Sequence, residues 1–490
     1  MKSVTILTIA AMAMAAATGC SHDTPTPSPE PPVKGGEFNE FGFTTTAPVT
    51  LSVDYGDMAG MPANVYFEVY DTCPVEETET AYAKIAGVEP LYAGYTDGQG
   101  RFEGTIELPA YIRKAYVLTP AFYARTLLEA TRSGDMLTAS AESGAPANAA
   151  PASTRAKEYH STAVERDGWK TWLGSYDTTY GSIGYEYDGD LKVKNYGALL
   201  KAHASVFDTT KKCPKEYRSS RDLYLEKSAE VVITLLGSNT CWNSSMGYYY
   251  YKTGNKPKSL ADANVVMIFP NTQDGRWSNS PWESRLYQGV ERGTAVQLIY
   301  YPEIADGSKA GATTVFPADY RIGFVLATNA WTNRLRAGDK KYRAATSDGL
   351  SVNNNGVAYQ TPRTAVFRYT DKKSGINSVL FSFEDHTNDE NFSDVVFTMT
   401  SNPVDAVTDI PSVDVNDGKK TANVLRGIYA FEDLWPSRGD YDMNDVMVRS
   451  DYEKVFNEKG VFEESFMLKT FANFAGNANG LAVTLTGAAA

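Results

Sequence analysis

Apolar and polar residues alternate with a period of two in the early part of this chain, the spacing that gives a strand one face for a core and one for water. The pattern begins at residues 51–55 (Leu-Ser-Val-Asp-Tyr) and 65–69 (Val-Tyr-Phe-Glu-Val). It returns at 101–108 (Arg-Phe-Glu-Gly-Thr-Ile-Glu-Leu), after the turn cluster Thr96-Asp97-Gly98-Gln99-Gly100. These segments predict a small Ig-like β-sandwich over residues 46–120. Residues 121–162 read as a linker, because 138–155 is rich in Ala, Ser and Pro with few large apolar side chains. Residues 160–225 carry a weaker signal. A short helix is expected at 199–207, and Trp169 and Trp172 are expected in the core.

From residue 230 the strand signal is dense. Segments 231–236, 246–251, 265–269, 295–300, 322–326, 365–369, 379–383 and 395–399 are short, rich in β-formers and separated by turn residues. They predict a β-sandwich or jelly-roll-like domain over 163–402. The run Tyr248–Tyr251 reads as strand core rather than as a sugar-stacking surface, since Tyr favours strands. A polar connector at 403–424 leads to a last β domain at 425–490, with strands expected at 427–431, 446–448, 462–472 and 481–485. Four strands make a thin sandwich, so this domain is expected to be incomplete or to pack on its neighbour. The expected class is all-β: tandem β-sandwich or jelly-roll-like domains.

The N-terminus predicts the compartment. Lys2 precedes an apolar run from Val4 to Ala17, too short to cross a bilayer, that reads as the core of a signal peptide over residues 1–19. Ala17-Thr18-Gly19-Cys20 resembles a bacterial lipobox, in which Cys20 is lipidated and becomes the mature N-terminus. Residues 20–45, Pro-rich to Gly35-Gly36, then form an extended tether. The expectation is a lipid-anchored protein on the outer membrane or cell surface of a Gram-negative bacterium. That compartment is oxidising. Without Cys20 three cysteines remain, so at most one intrachain disulfide forms, with Cys213–Cys241 the candidate pair. Buried, unpaired thiols are the alternative.

Composition narrows the chemistry. The chain has 46 basic and 59 acidic side chains and a net charge of −13. This argues against nucleic acid as a partner, because phosphate binding rests on Lys and Arg. Four histidines and four cysteines leave little for zinc clusters. Oxygen-ligand chemistry stays open.

An acidic motif occurs twice. The first copy is Phe383-Glu384-Asp385, a short loop, then Asp389-Glu390-Asn391-Phe392-Ser393-Asp394 and a strand. The second is Phe431-Glu432-Asp433, a longer loop, then Asp440-Tyr441-Asp442-Met443-Asn444-Asp445 and a strand. Residues 384–397 hold five carboxylates and no Lys or Arg; residues 432–448 hold five and one cation, Arg438. Such crowding raises the energy of the folded state unless a cation, backbone N–H groups or protons compensate. Ca²⁺ takes about six to eight oxygen ligands. The set Glu384, Asp385, Asp389, Asn391 and Asp394 is expected to form one Ca²⁺ site, and Glu432, Asp433, Asp440, Asp442, Asn444 and Asp445 a partner site. Asx-turns closing two hairpins are the competing explanation. The cluster Asp414, Asn416, Asp417 and Gly418 reads as a simple turn.

The stretch Phe431-Glu432-Asp433-Leu434-Trp435-Pro436-Ser437-Arg438-Gly439-Asp440-Tyr441-Asp442-Met443-Asn444-Asp445 resembles the hallmark of LruC-domain bacterial lipoproteins. The first copy, with Gly237-Ser238-Asn239-Thr240-Cys241-Trp242 and 269–275, resembles the domain of unknown function that precedes it in that family. The resemblance covers about residues 225–490. It implies a lipid-anchored, β-rich envelope protein and supplies no catalytic residues. His-Glu-x-x-His, Gly-x-Ser-x-Gly and a phosphate-binding Gly-rich loop are absent from the sequence. A glycoside hydrolase would use Glu384 or Glu432 as its acid, but carboxylates this dense suit a shared cation better. The expected role is binding or adhesion toward a glycan or a protein, without enzyme activity. A structural component of the envelope or of a surface appendage is the alternative.

Overall fold

Val49, Leu51 and Val53 alternate with polar neighbours along the strand Thr46–Asp54, so one of its faces must be buried. A computed structural model of the chain shows what covers it. The structure describes residues 46–56, 64–77, 82–141, 159–193, 196–240, 242–273, 289–333, 342–371, 376–386, 389–412, 420–433, 442–457 and 460–483. The protein is all-β, built from several sheets.

The first sheet has seven strands. In spatial order they are Tyr92–Tyr95, Tyr66–Tyr70, Lys114–Leu118, Leu127–Ser133, Met136–Ser140, Thr46–Asp54 and Arg101–Pro109. Thr46–Asp54 runs parallel to Met136–Ser140 and antiparallel to Arg101–Pro109. The sheet curls until its two end strands face each other, with Tyr92 and Phe102 5.8 Å apart between ring centroids and Phe67 against Phe102 at 5.1 Å. The expected boundary at 120 is therefore corrected. Residues 121–141 are not linker: Phe122 and Tyr123 are buried, and 127–140 is a hairpin. Its turn places Gly134 at φ +62°, a conformation that favours glycine. The inward residues Ala130 and Ala139 are small, which weakened the apolar signal. The remainder of the expected linker, 142–158, lies outside the described residues, as do the signal segment, Cys20 and the tether.

The second region is a sandwich of a seven-stranded and a six-stranded sheet. Central strands of the first are Ser245–Lys252 and Tyr320–Ala327; those of the second are Ala229–Ser238, Ile376–Phe383 and Val395–Asn402. Phe324 bridges the layers, 5.1 Å from Phe381 and 5.0 Å from Phe397. Phe381 and Phe397 face this core, and their neighbours Leu380 and Val396 face the other way. There they meet Leu199 and Leu200 of the helix Tyr196–Val206, then Phe207, in one apolar cluster that runs on into the first sheet. The expected tandem modules thus share a core through this helix. Trp169 is buried as expected, whereas Trp172 is 42% exposed. Tyr248 and Tyr249 are fully buried, and the four hydroxyls of the tyrosine run donate to Ile299 O, Ser347 Oγ, Tyr301 O and Asp222 Oδ2. Cys213 is a free, buried thiol, which corrects the expected disulfide; Cys241 lies outside the described residues.

The last region is a three-stranded antiparallel sheet, Lys420–Phe431, Val446–Asn457 and Gly460–Asn473. Strand structure thus begins inside the expected connector. Residues 481–483 form no strand, and 413–419, with the acidic turn at Asp414, lie outside the described residues. The sheet leans on the first one through Phe456, whose ring is 6.1 Å from Tyr66 and 5.6 Å from Tyr95.

Candidate metal centre

Each acidic motif closes a hairpin in the same register. Phe383 pairs with Val395 in the first, and Phe431 with Val446 in the second. The loops between them repeat three hydrogen bonds. Asp385 N–H donates to Asp394 Oδ2 (2.6 Å), as Asp433 N–H donates to Asp445 Oδ2 (2.8 Å). Phe392 N–H donates to Glu384 Oε2 (3.1 Å), as Met443 N–H donates to Glu432 Oε2 (3.4 Å). Ser393 N–H donates to Asn391 Oδ1 (2.7 Å), as Asn444 N–H donates to Asp442 Oδ1 (3.2 Å). Phe392 and Met443 both take left-handed backbone, at φ 58° and 57°. The repeat seen in sequence is a repeat in geometry.

These bonds sort the candidate residues. Carboxylate oxygens of Glu384, Asp389 and Asp394 converge within 4.8 Å of one another, and so do those of Glu432, Asp433 and Asp445. Asp385 turns aside and accepts from Thr240 Oγ1 at 2.5 Å. Asn391 holds the loop: its Nδ2 donates to Thr209 O (3.1 Å) and to Asp389 Oδ2 (2.9 Å). Asp442 and Asn444 bond each other as a turn cap. Asp440 lies outside the described residues. Among the described residues the sets expected from sequence therefore shrink to three converging carboxylates in each hairpin, with the turn-capping explanation holding for Asn391, Asp442 and Asn444.

Two members of the first set are inside the protein, and Asp389 is half-buried. Glu384 is 1% and Asp394 3% exposed. Burial, then repulsion from Asp389, pushes the Glu384 carboxyl well above the usual carboxylate range. Burial, then repulsion from Asp385 and Glu384, does the same to Asp394. Asp385 is pushed up to about 7, chiefly by burial, and burial raises Asp389 too. One guanidinium faces them: Arg363 Nη2 is 3.3 Å from Glu384 Oε1. Arg363 also reaches Glu390 at 3.6 Å. Glu390 faces outward, and Arg218 and Lys212 hold its carboxyl low against the upward push of burial. Among the described residues the charge of Glu384, Asp385, Asp389 and Asp394 is thus opposed by one shared arginine, Arg363.

Long-range contacts supply the walls. A bulge at Gly237, where a Cβ would come within 2.8 Å of Arg292 Nε, leads into residues 238–240. There Asn239 N–H donates to Asp394 O, and Thr240 caps Asp385. His386 is clasped edge-on by Trp242 and Tyr342, each 4.9 Å away. Beneath the loop, His203 stacks on Phe207 and bonds Ser382 Oγ at 2.9 Å, and burial drives its pKa down to about 3. Sequence reasoning missed Arg363, Thr240 and His203 as parts of this site. Of these only Thr240 lay in a segment already marked as distinctive.

A divalent ion fits the donor set. Both groups offer hard carboxylate oxygens and no His or Cys. Oxygens around one Ca²⁺ at 2.3–2.6 Å lie no more than about 5 Å apart, and these lie within 4.8 Å.

Two family profiles match parts of the chain. The domain of unknown function DUF8469 matches residues 47–141, the span of the curled first sheet. The domain of unknown function DUF4114 matches 316–402, which contains the whole first acidic hairpin. No curated protein and no solved structure matches the chain.

Proposed function

We propose that this chain is a lipid-anchored cell-envelope protein whose acidic hairpins are fixed by Ca²⁺, and that its β domains bind a glycan or a protein. The observation that carries the metal reading is the convergence of the buried Glu384 and Asp394 with the half-buried Asp389, with Arg363 opposite. Desolvated like charges need a counter-ion or protons. Calcium would be held in the first hairpin by Glu384, Asp389 and Asp394, and in the second by Glu432, Asp433 and Asp445. Asn391, Thr240 and Asp385 position the first set. The anchor reading rests on the signal segment and Cys20. Among the described residues no helix is long and apolar enough to cross a membrane. Membership of the LruC-type lipoproteins is supported by the 431–445 motif and by the match of a domain of unknown function over the hairpin before it.

A binding role is preferred to a catalytic one because Glu384 is buried, whereas a glycosidase acid must reach the glycosidic oxygen, and because the half-exposed Glu432 converges with Asp433 and Asp445 as in a shared-cation site. A scaffold role gains support from the last sheet, where Ile428, Tyr429, Phe466, Met467 and Phe474 are exposed.

Calcium titration of the purified chain followed by melting tests the metal reading. A ligand at a hundredfold excess over its Kd stabilises by about 2.7 kcal/mol. Ca²⁺ should raise the melting temperature by several degrees, and Asp394→Asn should abolish most of the rise. Melting curves identical in Ca²⁺ and in chelator would remove the metal from this proposal.

A further inference from the structure

We infer that the outer edge of the strand Gly460–Asn473 pairs antiparallel with the same strand of a second copy of this chain, about a two-fold axis at Phe466. This deepens the scaffold reading above and rests on it. In the last sheet Gly460–Asn473 bonds Val446–Asn457 on one side, and among the described residues no strand pairs with its other side. Such an edge offers backbone N–H and C=O groups to any extended segment that can lie along it. The strand contains no proline to block that pairing. Its side chains are open to water: Phe466 is 48% and Met467 65% exposed.

Two irregularities mark out the part that can pair. The register with Val446–Asn457 passes over Phe462 near one end and over Phe471 near the other. Bulges bend a strand, so the regular stretch between them, residues 463–470, is the one a partner can follow. Opposite residues of an antiparallel ladder share a face. A two-fold axis normal to the sheet must therefore fall on a residue and not between two. Of the possible centres, Phe466 alone sets Glu463 opposite Lys469, and the symmetry makes that pair twice. The same register sets Ser465 opposite Met467 and Phe466 opposite itself.

The charges suit this register. Among the described residues neither Glu463 nor Lys469 has an ion pair or a side-chain hydrogen bond within its own chain. Lys469 stands opposite Arg449, whose Nε is 3.0 Å from Asp451 Oδ2. A Glu463 from the second copy compensates Lys469 on its open side. Glu453 and Asp451 share the face of Lys469 but stand behind Ser465 and Met467, away from the junction. On the opposite face Glu464 accepts from Tyr452 Oη at 2.7 Å and stands opposite Lys454. Phe466 stacks on Tyr452 with 4.4 Å between ring centroids. Two such stacks meet at the axis as a row of four rings.

Sedimentation velocity on the full chain in Ca²⁺, from about 1 to 200 µM, tests the pairing. A short ladder buries little surface, so a dimer with a Kd of about 10 µM is expected. Glu463→Lys and Lys469→Glu each turn two attractions into two repulsions and should weaken it tenfold or more. The double variant should return to within about threefold of the native Kd. The two single variants, mixed, should pair with each other, since each supplies the charge that the other lacks. Both substitutions are at exposed positions, and melting curves on the same samples check that the variants are folded. A dimer indifferent to both single variants overturns this edge and leaves the scaffold reading to another surface. Failure of the double variant and of the mixture to recover overturns the register. A monomer at every concentration overturns the pairing together with a scaffold built from copies of this chain.

Discussion

The two acidic hairpins share a register, a left-handed residue and three matching hydrogen bonds, yet they stand in different surroundings. Glu384 and Asp394 are enclosed by the helix Tyr196–Val206, by residues 238–240 and by Arg363. Glu432, Asp433 and Asp445 close a thin sheet and remain partly open to water. Local sequence therefore encodes the loop, because its bonds run between residues at most twelve apart. The electrostatic load is set elsewhere, by what packs over the loop. Like charges in water are screened and hydrated, while the same charges in the interior must be compensated.

The largest expected difference comes from removing the same carboxylate in each copy. Glu384→Ala removes the nearer carboxylate of the buried Arg363, which keeps the contact with Glu390 at 3.6 Å, and deletes a ligand. Breaking a buried pair in this way costs about 3–5 kcal/mol. Glu432→Ala loosens a half-exposed hairpin and should cost about 1 kcal/mol or less. In chelator the Glu384→Ala loss should shrink, since one of four repelling carboxylates is gone. Urea unfolding in both buffers measures this, with Trp242 a nearby fluorophore. Equal losses for the two variants in calcium would break the contrast between buried and open sites.

Much of the frame behind this contrast was legible in the chain itself. The short runs at 231–236, 379–383 and 395–399 mark strands because β-branched, aromatic and other apolar residues fill them almost from end to end, the pattern of a strand buried on both faces. The recurrence of Phe-Glu-Asp before a second acidic run placed both hairpins. The hairpin at 127–140 escaped because Ala130 and Ala139 fill a narrow core with little apolar bulk. The fusion of the first two regions escaped because Leu199, Phe207 and Leu236 meet through tertiary packing that no local period announces. Arg363 escaped for the same reason: it precedes Glu384 by a whole hairpin and reaches it only after the strands have paired. Sequence overcounted the ligands because an acidic residue that caps a turn and one that points at a cation look alike until the hydrogen bonds are drawn.

A second pair of variants separates backbone strain from burial. A residue with a side chain in left-handed backbone carries a cost of about 1–2 kcal/mol. Phe392 lies at φ 58° and is fully buried, against Arg218 at 5.1 Å. Losing a buried aromatic side chain costs about 3–5 kcal/mol, so Phe392→Gly should still lose about 2–3 kcal/mol after the strain is relieved. Met443 lies at φ 57° but is half-buried. There relief roughly offsets the extra freedom of glycine in the unfolded chain, about 0.4–1 kcal/mol. Met443→Gly should change stability by less than about 1 kcal/mol, toward stabilisation. A loss as large as that of Phe392→Gly would mean that the second hairpin is buried in solution after all.

The smallest effect is expected at Asp442, and it decides between cap and ligand. Its Oδ1 accepts from Asn444 N–H at 3.2 Å and its other oxygen meets the Asn444 amide, so both oxygens are engaged within the turn. Glu432, Asp433 and Asp445 converge without it. A side chain that only satisfies a loop N–H contributes about 0.5–1.5 kcal/mol, and an exposed one stays at the low end. Asp442→Ala should therefore lower stability by about 0.5–1 kcal/mol, by the same amount in calcium and in chelator, while Asp445→Ala loses more in calcium than without it. If the Asp442→Ala loss were confined to calcium, Asp442 would belong to the ion's shell, as a fourth carboxylate beside Glu432, Asp433 and Asp445 among the described residues.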